Sequence, residues 1–487
     1  MALEISAARL FAPHYGTSTL VWSSVIGVVL LALSVGYYIG GKLAEQRTDT
    51  QLLLRIILGA GLFTLCIPLL AQPLLQVLTL PGADRASLLN LSGGSLAATI
   101  LLFGFPTFLL GIVSPYILSV LTRVNGHVGN ISGQLLAVST IGGLLGTFLP
   151  NLLLIPLIGT TWTILSIGIV LTLMGIGGLT RTKMPATLLL IVLCTTLGSQ
   201  APHTTQAVLA TRESTYQHIR IIEPAAGVRY MQFDSGFGFQ SVYNTLLNLK
   251  DDTDSSLTYY DYAASVLAGI PKPHGRPYNV LCIGLAGGTL PRTLHAWYGA
   301  DVRMTAVEID PVATDLAKEY MGLAELPLEI VHADGRTFAT HNKEQYDYIY
   351  VDAYQNELQI PWQLTTKEFW SVLESRLAPN GIVGMNIAAL GQTKSGLVNA
   401  LARTQHAVFH FVSNATLEER RNASHLLIAS NTAFTLPTTA SLPPRGAYTM
   451  TQLSAKLEPV EVQTNLPVLT DDKAPIEWIM AKDLYSR

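Results

Sequence analysis

Val280-Leu281-Cys282-Ile283-Gly284-Leu285-Ala286-Gly287-Gly288-Thr289 decides how the second half of this chain folds. Its apolar start reads as a strand buried on both faces. Glycines then break the run and open a helix. Gly284, Gly287 and Gly288 let a ligand approach the backbone closely, and a helix start offers free N–H donors. A tight strand-to-helix turn accounts for the same glycines, so the motif takes its meaning from the acids downstream of it.

There are three such acids, each at the end of a predicted strand. Glu308, in Ala306-Val307-Glu308-Ile309-Asp310-Pro311, stands 24 positions after Gly284. An acid there can accept hydrogen bonds from ribose hydroxyls. The competing role, a charge at a helix start, suits Asp310 better. Asp334, in Ala333-Asp334-Gly335-Arg336, can accept from an adenine amino group or form an Asx turn before a helix. Asp352 ends the run Tyr346-Asp347-Tyr348-Ile349-Tyr350-Val351. It can hold or deprotonate an amine, or cap the next loop. Ligands of open α/β sheets bind at this edge, so the four features together predict a nucleoside site. There is no Walker lysine, and the loop is not G-x-G-x-x-G, which disfavours phosphate-rich and dinucleotide cofactors.

Around these motifs, strands are predicted at 278–283, 302–308, 327–332, 346–352, 381–387, 407–412 and 424–429, with helices at 311–321, 366–377 and 393–405. Pro379-Asn380-Gly381 reads as a turn into the fifth strand. Alternating strands and helices predict a mostly parallel, doubly wound, Rossmann-like sheet over 270–487. Ahead of it, 205–265 reads as a small β-strand subdomain: Tyr216–Ile222 and Val228–Phe233 alternate, and Asp234-Ser235-Gly236 turns.

The first 200 residues are of another kind. Apolar runs at 18–40, 51–72, 92–121, 131–156 and 160–180 are long enough to cross a bilayer, and a sixth at 185–198 is short. Several long runs are apolar on every face, which argues against buried core helices of a soluble protein. The expectation is a transmembrane helical domain over 1–200, of five or six spans. Gly36, Gly40, Gly41, Gly142, Gly143 and Gly146 suit close helix packing, and Pro106 and Pro115 are tolerated there. No charge sits mid-span; Glu4 and Arg9, near the start, can pair or anchor at the membrane edge. Lys42, Arg47, Arg123, Arg181 and Lys183 against Arg85 make the first side cytoplasmic, so six spans put the C-terminal domain outside and five put it inside.

Composition closes other routes. Net charge is −3, with no basic field for nucleic acid. Cys66, Cys194 and Cys282 show no zinc or disulfide spacing, and no metal site is expected.

These residues resemble the bacterial membrane-fused spermidine synthase-like family, over nearly the whole chain. Glu4…Arg9…Pro13…Gly16-Thr17-Ser18…Trp22 and Gly40-Gly41-Lys42-Leu43-Ala44 are similar to its first membrane segments. The glycine loop, Val307–Pro311, Asp334-Gly335, Val351–Tyr354 and the tail Leu469–Glu477 look like its C-terminal motifs. The resemblance implies a fold like AdoMet methyltransferases and spermidine synthases. It implies an aminopropyltransferase, with decarboxylated AdoMet or AdoMet as co-substrate and no tightly bound cofactor. Asp352 would be catalytic. Gln240 and Gly335 would join the glycines, Glu308 and Asp334 at the donor. Tyr260, Tyr262, Tyr354 and Glu357 would meet the amine, although aromatic packing explains the tyrosines equally well. The partners implied are a small amine and the lipid bilayer, no nucleic acid, and, as polyamine synthases are often dimers, a homodimer. The place implied is the bacterial inner membrane, multi-pass.

Two positions depart from the soluble polyamine synthases. Gly287 stands where they carry an Asp that binds the donor's ammonium, and Gln355 where they carry a second acid after the catalytic one, with Glu357 nearby. Both departures favour intact AdoMet, so an AdoMet-dependent methyltransferase is the first alternative. A non-enzymatic sensor or transporter that binds a nucleoside or polyamine is the second.

Overall fold

The computed structural model describes residues 1–15, 19–47, 49–78, 93–125, 128–177, 208–233, 239–253, 257–354, 359–390, 395–417, 422–437, 442–461 and 466–485. The chain divides into two compact units: Met1–His203 with Glu213–Gln217, and Thr204–Arg212 with His218–Arg487.

Among the described residues of the first unit, five helices are long and apolar enough to cross a membrane: Val21–Gln46, Thr50–Leu78, Ser95–Arg123, Val128–Leu154 and Leu157–Gly177. The short run at 185–198 lies outside the described residues. A further helix, Ala2–Tyr15, precedes the first predicted run. Its Leu3, Ala7, Phe11 and Tyr15 join a core with Val25, Ile67, Leu102 and Ile164. Fourteen residues rise only about 21 Å, too short to cross a bilayer's hydrocarbon. Glu4 and Arg9 do not meet: Arg9 donates to Asn151 Oδ1 at 3.4 Å, and Glu4 Oε2 is buried without a partner. Gly36 lets two helices touch, since a Cβ there would lie 2.4 Å from the Phe108 carbonyl oxygen and 2.9 Å from Gly111 Cα.

The second unit holds two sheets. β1 (Val208–Glu213), β2 (His218–Ala225), β3 (Val228–Phe233) and β4 (Ser241–Asn244) lie in that order. β2 pairs β3, and β3 pairs β4, antiparallel. The turn expected at Asp234-Ser235-Gly236 lies outside the described residues. The larger sheet comprises β5 (Tyr278–Ile283), β6 (Val302–Glu308), β7 (Leu328–His332), β8 (Tyr346–Val351), β9 (Leu377–Leu390), β10 (Phe411–Thr416), β11 (Asn422–Ser430) and β12 (Leu457–Pro459). Their order is β12-β10-β11-β9-β8-β5-β6-β7.

From β7 to β9 the sheet is parallel. β11 then pairs β9 antiparallel, and β10 pairs both β11 and β12 antiparallel. The sheet is therefore Rossmann-like but mixed, because the β10–β11 hairpin folds back so that β11 lies between β9 and β10. The sixth strand starts at Phe411 rather than at 407, since Ala407 caps the helix Gly396–His406 and the N–H groups of Val408 and Phe409 turn back to the Gln405 carbonyl. Pro379-Asn380-Gly381 lies inside β9, where Asn380 takes φ 62° and the ladder slips between Tyr346↔Leu377 and Tyr348↔Ile382. The expected turn is thus a bulge.

Alternation builds both faces. β5 sends Val280 and Cys282 into one core and Leu281 and Ile283 into the other. β8 does the same with Tyr348 and Tyr350 against Ile349 and Val351. Each fully buried aliphatic contributes about 1.5–3 kcal/mol relative to exposure. The β2–β3 residues Ile219, Ile221, Met231 and Phe233 belong to the first of these cores. The small β unit therefore shares a core with the large sheet.

Candidate active site

β5 and β8 are neighbours from which the chain departs in opposite directions, and such a switch point opens a crevice at the strand ends. Here the ends nearly touch. Gly284 takes φ 93°, and a Cβ on it would lie 2.2 Å from the Asp352 carbonyl oxygen. Only glycine meets both demands. The Asp352 N–H donates to the Ile283 carbonyl at 2.8 Å, so the end of β8 is pinned to the loop.

Glu308 ends β6 and is buried. Its Oε2 accepts from the N–H groups of Leu285 (3.1 Å) and Ala286 (3.0 Å), and its Oε1 from that of Asp310 (3.0 Å). The carboxylate expected at a ribose thus also staples the glycine loop. Four lone-pair positions less three bonds leave one for a ligand. Burial raises its pKa, against the three backbone bonds that lower it. Asp310 is the N-cap of the helix Pro311–Tyr320, with Oδ1 accepting from the Val312 N–H.

Asp334 is an N-cap too: its Oδ1 accepts from the Thr337 N–H at 2.8 Å and starts the helix Gly335–His341. The capping alternative is therefore realised, with Oδ2 outside that bond.

Asp352 is half-buried in a ring of tyrosines. The Asn386 amide donates to its Oδ1 at 3.0 Å, and the Tyr259 hydroxyl bonds it as well. Burial pushes its pKa from 3.8 up to about 7, although those two bonds pull it down. Burial first, and the Asp352 charge after it, raise the pKa values of Tyr260, Cys282, Tyr350 and Tyr354. A carboxyl that titrates near neutrality and is held by two donors is suited to take up a proton.

Tyr260 lies in the helix Tyr259–Ser265, its ring 4.0 Å from that of Tyr259, and its hydroxyl donates to the Gln240 carbonyl at 2.5 Å. Tyr354 donates to the Asn386 carbonyl and accepts from the Ala388 N–H, both at 2.9 Å, which ties its hydroxyl to β9. Tyr262 packs in the core. Gln240 is half-buried at the entry to β4, and Glu357 lies outside the described residues. Gly287 is enclosed: its N–H donates to Ser241 Oγ at 2.8 Å, and a Cβ would meet Met321 Sδ at 2.6 Å and Ser241 Cβ at 2.7 Å.

The tail motif has a structural role. Arg336 holds Asp471 through Nη1 (2.7 Å) and Nη2 (2.5 Å), and Leu469 is fully buried.

Residues 262–427, from the tyrosine helix into β11, match the spermine/spermidine synthase domain. Over that stretch the chain is similar to the domain. Over 299 residues it is 28% identical to a probable polyamine aminopropyl transferase of Bifidobacterium longum, which covers 53% of this chain and 64% of that protein. Over 209 residues it is 31% identical to a polyamine aminopropyltransferase of Vibrio vulnificus, covering 42% of this chain and 66% of that protein. The chain thus spans just under two thirds of the length of both. Over 154 residues it is 27% identical to an eEF1A lysine and N-terminal methyltransferase homolog of Drosophila melanogaster, covering 30% of this chain and 22% of that protein. The synthase domain contains the glycine loop, Glu308, Asp334 and Asp352, whereas Gln240 and Tyr260 precede the matched residues.

Tyr259, Asn386 and Ser241 join the site without having been expected from the sequence. Asn386 had a signal, an amide inside the apolar run Gly381–Ala389. Tyr259 had a weaker one, as the first residue after Thr258, which forms a capping box with Asp261.

Proposed function

We propose that this protein is a membrane-bound aminopropyltransferase-like enzyme. It moves an aminopropyl group from decarboxylated AdoMet to an amine and releases methylthioadenosine. The observation that carries the reading is Asp352: a desolvated carboxyl at the switch point of a spermidine synthase domain, beside the glycine loop, with a pKa of about 7.

In this reading the amine lone pair attacks the propyl carbon next to the sulfonium. The carbon–sulfur bond breaks and its electrons return to sulfur, leaving a neutral thioether. The new carbon–nitrogen bond leaves nitrogen positively charged, and Asp352 accepts its surplus proton. The sulfonium is already a good leaving group, so the protein's part is alignment and proton uptake. Asn386 and Tyr259 orient the carboxylate. The glycine loop, stapled by Glu308, receives the nucleoside together with Gln240, Asp334 and Gly335. The acceptor amine meets Tyr260 and Tyr354. The five long apolar helices support a multi-pass location in the cell membrane, in contact with lipid.

A second reading, methyl transfer from intact AdoMet, is favoured by Gly287. The space in which a carboxylate would hold the donor's ammonium is filled by Met321 and Ser241. The methyltransferase homolog of Drosophila supports it too.

One experiment separates the readings. Detergent-purified protein is incubated with each donor and with diamines, and products are read by mass. Methylthioadenosine with an aminopropylated amine supports the first reading. S-Adenosylhomocysteine supports the second. Binding of a donor without turnover would leave a sensor.

A further inference from the structure

The side chains around Asp352 come from several elements: Tyr259 and Tyr260 from the helix Tyr259–Ser265, Cys282 from β5, Tyr348 and Tyr350 from β8, Tyr354 just after β8, and Asn386 from β9. The strands are fixed by the sheet ladder. The helix has no such ladder, and it is a short one of 7 residues. Something must set where its tyrosines stand.

Asp261, the third residue of that helix, is almost fully buried, with its side chain 2% exposed. Its Oδ2 accepts from Thr258 N (2.7 Å) and Thr258 Oγ1 (3.1 Å), closing the helix's first turn. The same carboxylate receives a two-pronged grip from Arg445, whose side chain is 0% exposed: Nε to Oδ1 at 3.0 Å and Nη2 to Oδ2 at 2.9 Å. Arg445 Nη1 donates to the Asp252 carbonyl at 2.8 Å, and its backbone N–H to the Lys250 carbonyl at 2.9 Å. Arg445 lies in the helix Pro444–Lys456, beyond the residues that match the synthase domain.

We propose that Arg445 is a positioning residue for the active site: through Asp261 it fixes the helix that sets Tyr259 and Tyr260 against Asp352. A planar guanidinium holding both carboxylate oxygens fixes orientation as well as distance. A buried ion pair is often no more stabilising than an apolar pair of the same volume. Its specific contribution here is the angle of the tyrosine helix. Loosening it lets water reach Asp352, and the carboxylate becomes easier to ionise.

The inference rests on Asp352 being the catalytic carboxylate, but its test needs no turnover. Melting temperature is measured against pH for the full chain in detergent, with and without Asp352→Asn. The two curves separate progressively above the unfolded-state pKa, and the pH at which the separation levels off reports the titration of Asp352 in the fold. The measurement is repeated on Arg445→Lys, which keeps the charge but loses the fork, and on Arg445→Met/Asp261→Asn, which removes both charges and keeps an acceptor for Thr258. The expected result is a levelling-off near pH 7 in the parent background and about one pH unit lower in both variants. A levelling-off that stays at the parental pH in a folded variant overturns the proposal. So does a variant pair unfolded at every pH, which would make the ion pair a folding requirement only. Absence of aminopropyl transfer would count against the proposed function and leave this result standing.

Discussion

The helical unit and the α/β unit use their polar groups in opposite ways. In the helical unit contact is made by removing side chains: Gly36 lies against Phe108 and Gly111 with no room for a Cβ. Several of its hydroxyls bond to carbonyls one turn back, as Thr64 does to Ala60 and Thr99 to Ser95. In the α/β unit buried polar groups reach across the fold instead: Glu308 to the glycine loop, Asn386 to Asp352, Arg445 to Asp261. Helices apolar enough for lipid need little beyond close packing. A site that must orient a carboxylate needs partners on several elements at once.

That contrast is challenged most forcefully at Asp352. Asp352→Asn keeps the shape of the side chain and removes the base, and is expected to lower kcat by about 100-fold or more in a steady-state assay. The same change should stabilise the fold. The folded-state pKa is raised, so the stability tied to the neutral acid is present below about pH 4 and is lost as pH rises through about 7. Above pH 7 Asp352→Asn should therefore melt higher than the parent, by up to about 4 kcal/mol, and at pH 4 the curves should converge. A variant that melts lower at high pH would show Asp352 to be a structural anchor.

The helical unit is tested at its close crossing. Gly36→Leu places a side chain where the Phe108 carbonyl stands, and is expected to destabilise by about 1–3 kcal/mol or more, read as loss of monodisperse protein in detergent. The same substitution at Gly41, which has nothing within 4 Å, should leave yield unchanged. Equal effects at both glycines would mean that crossing geometry is not what holds this unit together.

Gly287→Asp bears on the choice of donor. The new side chain must displace Met321 or Ser241, so melting should fall by about 1–3 kcal/mol, with no gain in affinity for decarboxylated AdoMet. A gain would mean that the loop retains the ammonium pocket.

The smallest effect is expected from pH alone. In the parent, kcat/KM should rise with pH and level off above about 7, as the base form of Asp352 accumulates. A flat profile in that range would assign proton uptake elsewhere.

Legibility divided along the same line. The five long apolar helices were readable because a run of apolar residues is a local property. β5 and β6 fell at their expected residues, since strands buried on both faces leave continuous apolar runs bounded by turns. The helix Ala2–Tyr15 was not readable, because it is too short to span and its sequence carries Glu4 and Arg9 among the apolar residues. Nor was the antiparallel side of the sheet, as nothing in Phe411–Thr416 says on which side of β11 it pairs. Among site residues, Glu308, Asp334 and Asp352 were visible as acids at strand ends. Their second bonds were not: the loop staple of Glu308 and the cap of Asp334 depend on where neighbouring N–H groups point. Tyr259, Asn386 and Arg445 matter through contacts between distant parts of the chain, which no local pattern records.

If Asp352 serves a sulfonium nucleoside transferase, turnover must depend on it. The purified full chain and its Asp352→Asn variant are each incubated with decarboxylated AdoMet and a diamine, and products are followed by mass. Methylthioadenosine and an aminopropylated amine are expected in equal amounts from the parent, and about 100-fold less of both from the variant. Equal turnover by the two proteins, or a parent that consumes neither decarboxylated nor intact AdoMet, would contradict that role.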